Sequence, residues 1–208
     1  MEYHSQFGQD KYIYESFFKE KDNGTYLEIG ADDGIRFSNC FFFEKLGWTG
    51  IAIEPREDAY EKLINNRKCK CIKVALSDKE EETEFLDIKG YGLGLSGLIN
   101  KYDQRHINRI YNEIQHQDNK GNEIVKMKTQ KLSNILNDNK FLDIDFLSID
   151  TEGSELDILK TLDFNKVKIK IITIEDNYND PKLLKFFIDR NYTLIKTIRC
   201  DKIFKLNL

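Results

Sequence analysis

Thr25-Tyr26-Leu27-Glu28-Ile29-Gly30-Ala31-Asp32-Asp33-Gly34 decides the fold. Thr25 to Ile29 is a short apolar run of strand length, and Gly30 to Gly34 reads as a tight turn. Glycine at 30 lets a ligand approach the backbone, and glycine at 34 permits positive φ or close packing. The run Gly50 to Glu54 reads as a second strand that ends in a carboxylate, 20 residues beyond Gly34. An acid at that spacing can accept both ribose hydroxyls of a nucleoside cofactor.

Outward from this turn the chain alternates strands and helices. A helix is expected from Gln9 to Lys19, another near Ser38 to Leu46, and a third after Pro55, which suits a first helical turn. Lys70 to Leu76 reads as one strand. Thr83 to Ile88 and Glu123 to Thr129 alternate, so they can pair as an antiparallel extension. The α/β rhythm then returns with strands at Asp145 to Ile149 and Lys168 to Ile174 and helices at Ser154 to Leu162 and Pro181 to Arg190. Tyr192 to Ile198 and Lys202 to Leu206 are joined by Arg199-Cys200-Asp201, too short for a parallel crossover, so they form an antiparallel hairpin. The order predicts an α/β protein with a mostly parallel sheet covered on both faces. It resembles the Rossmann-like class I methyltransferase fold, seven strands ending in an antiparallel hairpin.

At 208 residues the chain suits a single domain, 1–208. A polar excursion at about 90–122 begins with four glycines between Gly90 and Gly97 and reads as a lid over an acceptor. The net charge is −4, and 25 Lys outnumber 7 Arg, which disfavours a nucleic-acid partner. No run of 18 apolar residues predicts membrane insertion, and Met1 to Asp10 lacks an apolar signal core. Cys40, Cys69, Cys71 and Cys200 match neither a zinc nor a disulfide pattern, so reduced thiols and a cytoplasmic location are expected. Oligomeric state has no signature in the sequence.

The first turn is not a dinucleotide fingerprint, because Ala31 and Asp32 follow Gly30. Asp32 and Asp33 would repel a pyrophosphate. S-adenosylmethionine carries a sulfonium and an ammonium, so Glu28, Asp32 and Asp33 suit it. Asp33 could equally cap the next helix. Val74 to Asp78 is read as the end of the third strand, where Ala75, Leu76 and Ser77 would border the adenine. Phe146 to Glu155 sets Asp150, Glu152 and Glu155 where a buried strand meets a helix, and ligands of open α/β sheets bind at such strand ends. Glu175-Asp176-Asn177 follows the next strand. With Asp150 these are hard oxygen donors of the kind that bind Mg²⁺, although hydrogen bonding to cofactor and loop backbone is the plainer reading.

Taken together, these segments resemble the FkbM-type methyltransferases. The resemblance rests on Ser5-Gln6-Phe7-Gly8-Gln9-Asp10, Glu28 to Gly34, Ser38-Asn39, Gly47-Trp48-Thr49-Gly50, Glu54-Pro55 and Ile149 to Glu155, the last similar to a D-x-E-G-x-E signature. It implies S-adenosylmethionine-dependent O-methylation, often of sugars or natural products. The cofactor-binding set is then Glu28, Gly30, Ala31, Asp32, Asp33, Gly34, Ser38, Asn39, Glu54, Pro55, Ala75, Leu76, Ser77 and Asp150. Gln6, Gln9, Tyr91, Ser96 and Arg105 are candidates for substrate or cofactor contact. Ser5 could instead cap the first helix with Gln9 and Asp10 on its exposed surface, and Trp48 reads as turn packing.

A sugar hydroxyl is a weak nucleophile and needs a base or a cation. Asp150, Glu152 and His106 are the candidate catalytic groups, His106 lying in the polar excursion where it could equally be exposed. The expected acceptor is a small molecule or saccharide: a sugar, nucleotide-sugar or glycan hydroxyl. The alternative is a noncatalytic Rossmann-like module that binds a glycan or protein; a dinucleotide oxidoreductase comes third.

Overall fold

Buried parallel strands read as continuous apolar runs because both faces are covered. In the computed structural model, which describes residues 2–207, Tyr26 to Ile29 are all buried. Met1 and Leu208, the ends of the expected domain, lie outside the described residues. In chain order the strands are β1 Thr25–Ile29, β2 Thr49–Ile53, β3 Lys70–Ile72, β4 Ala75–Leu76, β5 Glu82–Gly90, β6 Gly97–Leu98, β7 Asn119–Gln130, β8 Asp143–Ile149, β9 Lys168–Glu175, β10 Tyr192–Ile198 and β11 Asp201–Leu206. The helices are α1 Gln9–Ile13, α2 Phe41–Lys45, α3 Glu57–Asn66, α4 Gln104–Glu113, α5 Leu132–Asp138, α6 Glu155–Lys160 and α7 Pro181–Ile188. A π-helical turn, Tyr14–Phe18, continues α1.

The chain divides into two compact units. The first holds residues up to 73, 140–149 and 163 onward, with a seven-stranded sheet in the order β10-β11-β9-β8-β1-β2-β3. β1 pairs in parallel with β2 and β8, and β8 with β9. β11 runs antiparallel to both β9 and β10, which is the expected terminal hairpin. This is the Rossmann-like class I methyltransferase topology. A cluster of Tyr26, Phe43, Trp48, Phe146 and Phe18 fills part of its core. Trp48 is buried and packs at 4.8 Å on Phe43 and 5.0 Å on Phe18, ring centre to ring centre, so it is a packing residue.

The second unit holds residues 74–139 and 150–162. Its four-stranded sheet runs β4-β7-β5-β6. The expected antiparallel pairing is present: Thr83 lies opposite Met127 and Phe85 opposite Val125. Lys70 to Leu76 is not one strand. β3 ends at Ile72, and Ala75 and Leu76 pair instead with Thr129 and Gln130 of β7. Pro55 precedes α3 by two residues rather than opening it, since Arg56 is the cap.

Candidate active site

The first turn is held at the tip of β2. Gly30 and Ala31 donate their amides to the Ile53 carbonyl, each at 3.0 Å. Gly30 adopts φ +80°, which costs glycine little. Glu54 is buried and faces the turn. Its Oε2 accepts the Asp32 amide and its Oε1 the Arg56 amide, both at 2.9 Å. Each oxygen has two acceptor positions, so each retains one for a ligand hydroxyl. Burial pushes the Glu54 carboxyl up to about 7, against the opposing effect of the two amides and Arg56.

The turn is less acidic in effect than its sequence. Asp32 is paired with Arg36 at 2.8 Å and lies 3.8 Å from Arg56. Asp33 Oδ1 accepts the Ile35 and Arg36 amides within the turn and does not cap the next helix, which begins at Phe41 behind Cys40. The repulsion expected to exclude a pyrophosphate is therefore partly compensated.

Glu28 sits inside, not on the surface of the turn. Its Oε1 accepts from Ser38 Oγ at 2.7 Å and the amides of Asn39 and Cys40, and its Oε2 from Arg67 at 2.7 Å. Ser38 Oγ in turn accepts the Cys40 and Phe41 amides at the entrance to α2. Asn39 Nδ2 donates to Ser148 of β8 at 2.9 Å. Arg67, absent from the sequence-based set, binds Glu28, Glu44 and the Gly34 carbonyl together.

The N-terminal motif folds on itself. Asp10 is buried and accepts from the His4 and Ser5 amides and Ser5 Oγ. The expectation of Ser5 as helix cap with Gln9 and Asp10 exposed is overturned: Gly8 is the cap, and both side chains are buried. Gln9 Oε1 accepts the Phe7 amide, and its Nε2 donates to Asp201. Gln6 is exposed.

The second unit gathers the other candidates. His106, on α4, is 1% exposed rather than a surface group. Its Nε2 lies 3.2 Å from the Leu95 carbonyl and its Nδ1 3.4 Å from Glu152 Oε2. Tyr102 packs on the ring at 4.6 Å and donates its hydroxyl to the same carbonyl at 2.9 Å. Burial lowers the His106 pKa.

Glu152 has φ +58° and is followed by Gly153 at +125°. A Cβ on Gly153 would lie 2.8 Å from the Lys101 carbonyl, and one on Gly97 3.3 Å from the Thr151 carbonyl. Segments 97–102 and 150–153 thus pack backbone to backbone. Glu155 holds the loop by accepting the Thr151 and Gly153 amides and the Thr151 hydroxyl, a local structural use. Asp150 is exposed beside it.

The remaining lid candidates are spread. Ser96 bridges the Ile88 amide and the Leu93 carbonyl. Tyr91 stacks on His116 at 3.9 Å, and Arg105 pairs with Asp103 on the exposed start of α4. Ala75 and Leu76 are buried in their own sheet, and Ser77 donates its amide to Gln130. The reading of Val74 to Asp78 as the tip of the third main-sheet strand is corrected accordingly.

The profile of the "Methyltransferase FkbM domain" matches residues 28–194. The chain belongs to the FkbM methyltransferase family. Membership makes it an S-adenosylmethionine-dependent methyltransferase. No curated protein matches the chain. Solved structures similar to it include the METTL16 methyltransferase domain, at 11% identity and TM-score 0.49, covering 93% of this chain. The chain spans 63% of that structure's length. A protein of the NADB-Rossmann superfamily from Streptococcus agalactiae is 13% identical with TM-score 0.49, covering all of this chain and 72% of that one. M. capricolum TrmK in complex with S-adenosyl-homocysteine is 12% identical with TM-score 0.46, covering 97% of this chain and 68% of that one.

The methyltransferase's residues fit its cofactor at Glu54, a buried carboxylate whose two oxygens are fixed by amides yet keep acceptor capacity. The hard-oxygen set fits a metal less well. Asp176 is buried, ion-paired with Lys202, and accepts the Asp180 amide. An ammonium already neutralises it. Glu175 lies 3.8 Å from Cys200 Sγ, and Asn177 is half-buried after β9. Among the described residues no helix is long and apolar enough to cross a membrane.

Proposed function

We propose that this methyltransferase transfers a methyl group to a hydroxyl of a saccharide: a sugar, nucleotide-sugar or glycan. The observation that carries the reading is the Glu152 carboxylate beside His106, 3.4 Å away, in the unit that also supplies Tyr91 and Tyr102. A hydroxyl acceptor needs such a base, whereas a stronger nucleophile would not.

S-adenosylmethionine supplies a methyl group on a sulfonium. Glu54 accepts the ribose hydroxyls, and Gly30 with Ala31 gives close backbone approach. Asp33 and Pro55 shape the turn and the strand end. Glu28 and Ser38 act behind the turn, because their polar atoms are engaged with Arg67 and the α2 entrance, while Asn39 donates Nδ2 to Ser148 and keeps a buried Oδ1 without a hydrogen-bond partner. Glu152 would take the acceptor's proton, and the exposed Asp150 would orient its hydroxyl. Both nitrogens of His106 face other groups, Nε2 the Leu95 carbonyl and Nδ1 Glu152, so the ring takes no proton from the acceptor directly and its Nδ1 lone pair can receive the proton Glu152 takes up. No step in this scheme uses Mg²⁺.

The test is incubation with S-adenosylmethionine and a panel of monosaccharides, nucleotide-sugars and short glycans, with RNA in parallel. The expected product is a saccharide heavier by one methylene. Methylated RNA with untouched saccharides would exclude this acceptor class.

A further inference from the structure

Arg67 is a full positive charge with no exposed side-chain surface, and it carries no established role. Charges are buried only when paired and hydrogen-bonded. Its Nε donates to Glu44 at 2.9 Å. Its Nη1 donates to Glu28 at 2.7 Å and to the Gly34 carbonyl at 3.0 Å. The guanidinium lies 5.3 Å from the Tyr26 ring centre and 5.4 Å from that of Phe41. One side chain therefore ties α3's end to β1, to α2 and to the last residue of the first turn.

Gly34 is matched to it. With φ +84°, a Cβ at this position would lie 2.7 Å from Arg67 Cγ and 2.6 Å from Leu63 Cδ1. The turn can descend onto the arginine stem only because residue 34 lacks a side chain. Above it, Glu28 relays the hold to Ser38 and the amides of Asn39 and Cys40.

A lysine has one ammonium and cannot reach two carboxylates and a carbonyl in this planar arrangement. We propose that Arg67 is a positioning residue for cofactor binding: through the Gly34 carbonyl and the Glu28 carboxylate it fixes the Gly30 to Gly34 turn in the conformation that receives S-adenosylmethionine. The inference rests on the assignment of that turn and Glu54 to the cofactor.

The test separates position from stability. Arg67→Lys and the uncharged triple variant Glu28→Gln/Glu44→Gln/Arg67→Met are titrated with S-adenosylhomocysteine by calorimetry, well below each variant's melting temperature. The Kd of the folded triple variant is expected to rise by about tenfold or more, with the lysine variant between it and wild type, the scale of losing charged hydrogen bonds. The amide NMR signals of Gly30 and Gly34 shift in both variants before ligand is added. With acceptor, KM for S-adenosylmethionine rises while kcat at saturation stays near wild type. Melting lowered with Kd and amide shifts unchanged makes Arg67 a stability residue and overturns the proposal. If the triple variant does not fold, Arg67→Lys decides by the same readouts. Wild type that fails to bind S-adenosylhomocysteine refutes the cofactor assignment itself, a result distinct from equal binding by wild type and variants.

Discussion

His106 Nδ1 lies 3.4 Å from Glu152 Oε2 while its Nε2 points at the Leu95 carbonyl, 3.2 Å away. A carbonyl only accepts, so Nε2 carries the hydrogen and Nδ1 is the nitrogen that meets the carboxylate. In that tautomer Nδ1 presents a lone pair, so the neutral ring can accept the proton that Glu152 takes up and does not donate to its carboxylate. Glu152→Gln should lower single-turnover methylation by about 10²–10⁴-fold, the range for loss of a general base. His106→Asn should cost less and leave KM for the cofactor unchanged. Equal losses in the two variants would put the proton on the histidine instead.

The same histidine contributes a pH-dependent stability. Burial lowers its pKa in the folded state. The unfolded chain then binds the proton more readily, so this stability is present above about pH 6.5 and is lost as pH falls through the lower folded value. Thermal melting across this window should fall less steeply on acidification in His106→Asn than in wild type. Parallel curves would mean that the ring is protonated equally in both states.

Gly34→Ala should destabilise the first unit by about 2–4 kcal/mol, combining left-handed strain with overpacking. The added methyl meets Leu63 and the stem of Arg67. Gly47→Ala, also at positive φ but with nothing within 4 Å, should cost less, and denaturant melts of the pair measure the difference.

Much of this arrangement is legible in sequence, for physical reasons that differ by residue. Tyr26 to Ile29 is legible because a strand buried on both faces is mostly apolar, here broken by Glu28, which Arg67 pairs, and the terminal hairpin because three linking residues permit no crossover. Helix α4 is not. Its apolar residues Ile107 and Tyr111 are exposed, at 42% and 67%, while the polar His106 is buried with Ile110. Periodicity counts apolar residues and misses a face whose key member is an imidazole. The split between β3 and β4 is likewise invisible, since Lys70 to Leu76 has no Pro or Gly to mark it. Arg67 escapes because its partner Glu28 lies 39 residues away, and nothing local distinguishes it from a solvated arginine.

Asp150 and the excursion that begins at Gly90 should separate in kinetics. Asp150→Asn should reduce turnover at saturating cofactor, because its charge orients the acceptor hydroxyl. Shortening the loop between Gly90 and Gly97 should raise the acceptor requirement or erase acceptor selectivity, with cofactor binding preserved. Single-turnover methylation, run with and without Mg²⁺, distinguishes these from a cofactor defect. Normal turnover in Asp150→Asn with unchanged acceptor use after loop shortening removes the acceptor site described above.

The account stands on Glu54 as the cofactor's ribose acceptor, and calorimetric titration with S-adenosylhomocysteine tests it most directly. Wild type should bind S-adenosylhomocysteine and not NAD, and Glu54→Ala should weaken binding by roughly 1–3 kcal/mol with the fold intact. Because burial raises the free carboxyl to about 7 and ribose hydroxyls favour its ionised form, wild-type affinity should fall as pH drops through that value. Glu54→Ala should lose that dependence. Binding of NAD in place of S-adenosylhomocysteine, or unchanged, pH-dependent affinity in Glu54→Ala, would contradict the account.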